Sequence, residues 1–129
     1  MNGEYLLDTN IVIALFAGEP GVQASISGAE EVFLSSIVLG ELYFGAVNSS
    51  RPQANTEALE VFAKTCTEVP VDAHTAKVYA ATRLKLKKRG RPIPENDIWL
   101  AACALQHGMV LVTRDRHFES IDAIEIVEW

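Results

Sequence analysis

The sequence predicts an α/β fold with a central, mainly parallel sheet covered by helices on both faces. Three observations lead there. Short apolar runs alternate with longer segments of helical spacing along the whole chain. The runs Tyr5–Leu7, Val32–Leu34 and Met109–Thr113 show no polar alternation, as expected of strands buried on both faces. The length, 129 residues, fits one domain over 1–129 with a single core.

The first strand, Tyr5–Leu7, stops at Asp8, and a helix follows over Asn10–Ala17, closed by Gly18 with Pro20 beyond. A short helix covers about Val22–Ile26. The second strand, Val32–Leu34, runs into Ser35-Ser36, which are helix caps for Ile37–Asn48, a segment apolar nearly all round. Ser49, Ser50 and Pro52 form a loop, and Thr56–Thr65 is an amphipathic helix. Glu68–Val71 is a short third strand. Asp72 has the place of an N-cap for a long helix over Ala73–Arg89. Gly90-Arg91-Pro92-Ile93-Pro94 breaks the pattern, Asp97–His107 is helical again and Gly108 stops it. Met109–Thr113 and Ile124–Val127 complete the strands. In such folds ligands gather beyond the carboxyl ends of the strands.

Composition narrows the function. Hydrophobic residues make up 49% and charged residues 22%, a globular balance. Cys66 and Cys103 are the only cysteines and sit in no zinc or disulfide pattern. Met-Asn-Gly-Glu has no basic leader character, and no apolar run reaches the roughly 18 residues of a membrane span. A reduced, cytoplasmic protein without membrane association is expected. The net charge of −6 disfavours a module that merely coats nucleic acid. Yet eight of the eleven bases fall in two short segments, Arg83–Arg91 and Arg114/Arg116.

Four acids fit poorly with an ordinary core. Asp8 and Asp115 each follow an apolar strand, hence share one edge of a parallel sheet. Glu41 lies one turn into an apolar helix, with Ile37, Val38, Phe44 and Gly45 as its helical neighbours and no nearby base. Asp97 opens the helix Ile98–Ala102, where the dipole favours a carboxylate. Each has an ordinary alternative: an N-cap for Asp8, a rim position for Glu41, a first-turn acid for Asp97 beside Asn96 as cap, a turn residue for Asp115. Brought together, they repel unless protons or a multivalent cation intervene. Hard oxygen ligands select Mg²⁺ or Mn²⁺, and such a site suits attack of water on a phosphodiester.

Four stretches in order, Leu6-Leu7-Asp8-Thr9-Asn10, Ser35–Leu42, Pro94–Ala102 and Leu111–Phe118, make the chain resemble a PIN-domain ribonuclease, more narrowly a VapC-type toxin of a toxin–antitoxin pair. The resemblance implies a PIN-like three-layer α/β/α fold. It implies that Asp8, Glu41, Asp97 and Asp115 hold Mg²⁺ or Mn²⁺ and cut RNA endonucleolytically, leaving a 3′-hydroxyl and a 5′-phosphate. Thr113 and Asn10 have supporting places near these acids. It implies a homodimer and a cognate antitoxin protein, through which alone the pair reaches promoter DNA. Lys87, Lys88, Arg89, Arg114 and Arg116 are candidates to hold the RNA backbone, against the plainer role of a solvated helix end for the first three. The rival enzyme, a haloacid-dehalogenase-type phosphatase, needs an Asp where Asn10 stands. A receiver domain needs a Lys where Arg114-Asp115 follow the late strand. A non-catalytic RNA- or protein-binding PIN-like module is the remaining alternative. His74, His107 and His117 are read as solvated or loop residues, Trp99 as packing, and Tyr43, Phe44 and Val47 as core or as a contact with another chain.

Overall fold

A computed structural model describes residues 3–129; Met1 and Asn2, which opened the stretch read for leader character, lie outside the described residues. Five strands form one sheet in the order β3-β2-β1-β4-β5, and every neighbouring pair is parallel. They are β1 (Tyr5–Leu7), β2 (Val32–Ser35), β3 (Thr67–Val69), β4 (Val110–Val112) and β5 (Glu125–Val127). Six α-helices connect them: α1 (Thr9–Phe16), α2 (Pro20–Gly28), α3 (Ser36–Val47), α4 (Pro52–Ala63), α5 (Ala73–Arg89) and α6 (Glu95–His107). The architecture is the three-layer α/β/α arrangement expected. The sheet is wholly parallel in its described pairs.

The core is built from the apolar runs that identify the strands. Leu6, Leu7, Leu34, Leu111 and Val112 are fully buried, with Ile11, Val12, Val38, Leu100 and Phe118 packed from the connecting segments. Cys103 is a buried small residue in α6, and both cysteines are free. Among the described residues no single helix is long and apolar enough to cross a membrane.

Caps follow side-chain chemistry. Ser35 accepts from the Val38 amide at 3.1 Å, and Asp72 forms a reciprocal box with Thr75 at the start of α5. Gly90 and Gly108 end α5 and α6 in the left-handed region, where a Cβ would be strained.

Several boundaries differ from the expectation. Helix α4 begins at Pro52, expected to be loop, because proline is tolerated at a first helical position that needs no amide donor. Strand β3 ends at Val69, since Pro70 cannot donate to the ladder. Helix α6 starts two residues before Asp97, with Pro94 as its cap residue, so neither Asn96 nor Asp97 caps it. A 3₁₀ turn, Arg116–Ser120, was not anticipated; its anchor is the fully buried ring of Phe118.

Candidate active site

The sheet order sets the position of the site. From β1 the chain builds outward through β2 and β3, then returns to lay β4 on the other side of β1. The crevice at this reversal opens at the carboxyl ends of β1 and β4. The register pairs Leu7 with Val112, and the Asp8 amide donates to the Val112 carbonyl at 2.9 Å. Asp8 and Thr113 therefore leave the sheet side by side.

Asp8 has both roles weighed for it. It caps α1, accepting from the Thr9 amide at 2.7 Å, and it faces the crevice. The Thr113 hydroxyl donates to its other oxygen at 2.7 Å. Only 3% exposed, Asp8 is pushed up to about 6, chiefly by burial; the Thr113 and Thr9 hydrogen bonds oppose the shift, while the charges of Asp97 and Asp115 add to it.

Glu41 stands one turn into α3. Its Oε1 accepts from the Thr9 hydroxyl at 2.5 Å and its Oε2 from the Asn96 amide group at 3.2 Å. Asp97 lies in the first turn of α6, half-buried; burial raises its carboxyl above the ordinary value, the adjacent His117 lowers it, and the charges of Asp115 and Glu41 raise it. Asp115 is exposed beyond β4, and its amide donates to the Thr113 hydroxyl at 3.0 Å. Asn10 accepts from the Arg114 amide at 3.3 Å, which ties the start of α1 to the same turn.

Asp8, Glu41, Asp97 and Asp115, contributed by four separate stretches of chain, line one cleft of about 710 Å³ together with Thr9, Asn10, Ile13 and Pro94–Asn96. Among the described residues no Lys or Arg forms an ion pair with any of the four. The one basic partner is His117, whose Nε2 lies 2.7 Å from Asp97 Oδ2. Asp97, Asp115 and His117 each offer a ligand atom within 4.8 Å of the others. Sequence reasoning gave His117 a loop role; its carboxylate partner lies twenty residues upstream, and only the unanticipated 3₁₀ turn brings the two together. The four carboxylates offer hard oxygen ligands of the kind that a small divalent cation accepts.

The basic candidates divide. Arg114 is held by Glu19 at 2.7 Å and by the Trp129 carbonyl, and Arg89 by Asp122 and the Ser120 carbonyl. Arg116 reaches Glu119 only at 3.7 Å and is exposed. Lys87 and Lys88 lie exposed in the last turn of α5 without an ion-pair partner among the described residues. Trp99 stacks on Tyr79, ring centroids 3.9 Å apart, which is packing between α6 and α5. His74 and His107 are solvent-exposed. Phe44 and Val47 are exposed rather than buried in the core, whereas Tyr43 packs against it.

Comparison with known proteins agrees with the fold. The family model "PIN domain" matches residues 5–124. "Ribonuclease VapC2" of Haemophilus influenzae is 35% identical over 98% of both chains. The "tRNA(fMet)-specific endonuclease VapC" of Shigella flexneri is 29% identical, again over 98% of each. Among solved structures, DNA-bound VapBC from Salmonella typhimurium superposes with a TM-score of 0.92 at 28% identity, covering 98% of each chain. The chain belongs to the PIN-domain family, on its VapC branch.

Proposed function

We propose that the protein is a divalent-metal-dependent endoribonuclease, the toxin of a toxin–antitoxin pair, and that Asp8, Glu41, Asp97 and Asp115 hold Mg²⁺ or Mn²⁺ at the site of cleavage. The observation that carries this reading is the convergence of four carboxylates on one cleft, with no Lys or Arg among the described residues in ion-pair contact with them. Such crowding is costly unless compensated, and a cation compensates it while a purely structural role does not. The similarity to relatives named as ribonucleases supports RNA as the substrate class.

A bound divalent cation supplies an activated water and offsets charge on the phosphate in the transition state. The protein's own part is positioning. Thr9 ties the two sides of the cleft together, its amide on Asp8 and its hydroxyl on Glu41. The Thr113 hydroxyl donates to the Asp8 carboxylate and accepts from the Asp115 backbone amide. His117 orients Asp97 through one oxygen, Oδ2. The carboxylates of Asp8, Glu41 and Asp97 are thus each held by a neighbour, and Asp115 is held through its backbone amide, an arrangement that would fix ligand geometry before a metal arrives.

An antitoxin partner and a homodimer belong to the same proposal. Ile13, Phe16, Phe44 and Val47 expose apolar side chains, and a groove of about 490 Å³ between α1, α3 and α4 is lined by Ile13, Phe16, Leu42, Ala46 and Leu59. Exposed apolar surface of this kind favours protein contacts. Promoter DNA would be reached through the antitoxin; the VapBC complex of Salmonella typhimurium is itself DNA-bound.

The test is cleavage of labelled RNA by the purified protein with Mg²⁺ or Mn²⁺, with chelator, and by Asp97→Asn. Cleavage that needs the metal and is lost in a folded variant supports the reading. Equal cleavage in chelator would exclude metal dependence.

A further inference from the structure

We propose that the RNA strand runs from the acidic cleft across His117 into a second, basic cleft, where Arg91 and Arg116 hold a phosphate flanking the cleaved bond; this rests on the ribonuclease reading above. The second cleft, of about 700 Å³, is lined by Arg89–Ile93 and by Arg116, His117, Glu119 and Ser120. Its two walls continue those of the acidic cleft. On one side Arg89–Ile93 leads directly into Pro94–Asp97, and on the other Arg116–Ser120 follows directly on Asp115. The charge changes sign where one cleft meets the other: Asp97 and Asp115 on one side, Arg91 and Arg116 on the other. His117, bonded to Asp97, stands at the junction and lines the basic cleft.

Not every base in this region is free to bind. Arg89 lines the cleft but is engaged by Asp122 and the Ser120 carbonyl, and so serves to fix the wall. Arg91 has no carboxylate partner among the described residues, and Arg116 has only the loose contact with Glu119. Two guanidinium groups without close partners beside a site that attracts cations leave a polyanion as the chemical match. A single strand of RNA has phosphates at regular spacing, one for the metal-binding cleft and the next for the arginines. Lys87 and Lys88, prominent in the sequence, do not line this cleft. The relevant bases are those that the 90–94 break and the 3₁₀ turn carry to the cleft.

The experiment compares wild type, Arg91→Ala/Arg116→Ala, Arg91→Lys/Arg116→Lys and Lys87→Ala/Lys88→Ala. Each is assayed with Mn²⁺ on a single-stranded oligoribonucleotide and on a dinucleotide too short to reach the second cleft, over a range of salt. For the oligonucleotide the arginine-to-alanine pair should raise KM roughly tenfold with little change in kcat. The slope of log affinity against log salt should become shallower by about 0.7 for each phosphate that is no longer held. Dinucleotide cleavage should not change, the lysine-substituted arginine pair should recover most of the affinity, and Lys87→Ala/Lys88→Ala should resemble wild type. Both arginines are exposed, so melting temperatures should agree and exclude misfolding as the cause. An unchanged KM and salt slope in a folded Arg91→Ala/Arg116→Ala protein overturns the proposal. So does a variant that loses affinity only for the antitoxin, which would make the cleft a protein-binding surface. Absence of any cleavage by wild type is a different result: it removes the ribonuclease reading itself.

Discussion

The Thr113 hydroxyl donates to Asp8 Oδ2 at 2.7 Å and accepts from the Asp115 amide at 3.0 Å, so one small side chain at the end of β4 links two of the four acids. The link joins positions 105 residues apart in sequence, and it exists because β1 and β4 are neighbours in a parallel sheet. Thr113→Val keeps the shape and removes the donor. Burying the Asp8 oxygen without it costs about 1–3 kcal/mol and raises the Asp8 carboxyl further. The acid limb of the pH–rate profile should move to higher pH, with a lower melting temperature. An unmoved limb would separate Thr113 from the ionisation of Asp8.

Asp8 itself makes stability depend on pH. Its carboxyl is raised from 3.8 to about 6 in the folded protein, which therefore binds the proton more tightly than the unfolded chain. Without metal, this contribution is fully present below 3.8 and is lost as pH rises through about 6. Asp8→Asn keeps a capping side chain and removes the titration. In chelator at neutral pH the variant should be more stable than wild type by up to about 3 kcal/mol, the advantage shrinking towards pH 4. Denaturant midpoints at several pH values measure this; a constant difference would contradict it.

His117→Ala should leave the fold standing while freeing Asp97 to reorient. Loss of a partner that orients a metal ligand typically costs about 10–100-fold in metal affinity. Metal titration beside a thermal melt distinguishes this from unfolding, and unchanged affinity would give His117 no part in the site.

Phe118 anchors the 3₁₀ turn that carries His117. Phe118→Ala should destabilise the protein by about 3–5 kcal/mol through the cavity it leaves. It should also weaken cleavage beyond the fraction unfolded, because the turn loses its anchor. Cleavage that simply tracks the folded fraction would separate the turn from the site.

The strand positions and the four acids were legible because both depend on local chemistry. A wholly apolar run such as Val32–Leu34 can only be buried, and Glu41 in an apolar helix without a base nearby calls for a partner. What the sequence did not disclose depends on tertiary proximity. His117 looks like any loop histidine until the turn folds it against Asp97. Arg114 resembles Arg116 in sequence, yet Glu19 and the Trp129 carbonyl occupy it. The basic run Arg83–Arg91 reads as one patch, whereas Arg83 pairs with Glu95, Arg89 with Asp122, and Arg91 lines a cleft. Charge clustering along a chain gives composition, and only the fold decides which of those charges are already paired.

Binding of Mn²⁺, followed by electron paramagnetic resonance on wild type and on Asp8→Asn, Glu41→Gln, Asp97→Asn and Asp115→Asn, addresses the four carboxylates without relying on any particular RNA. Saturable binding by wild type that each substitution weakens is the predicted result. A folded wild-type protein that takes up no Mn²⁺, or four variants that bind it as wild type does, would contradict a metal centre at this cleft.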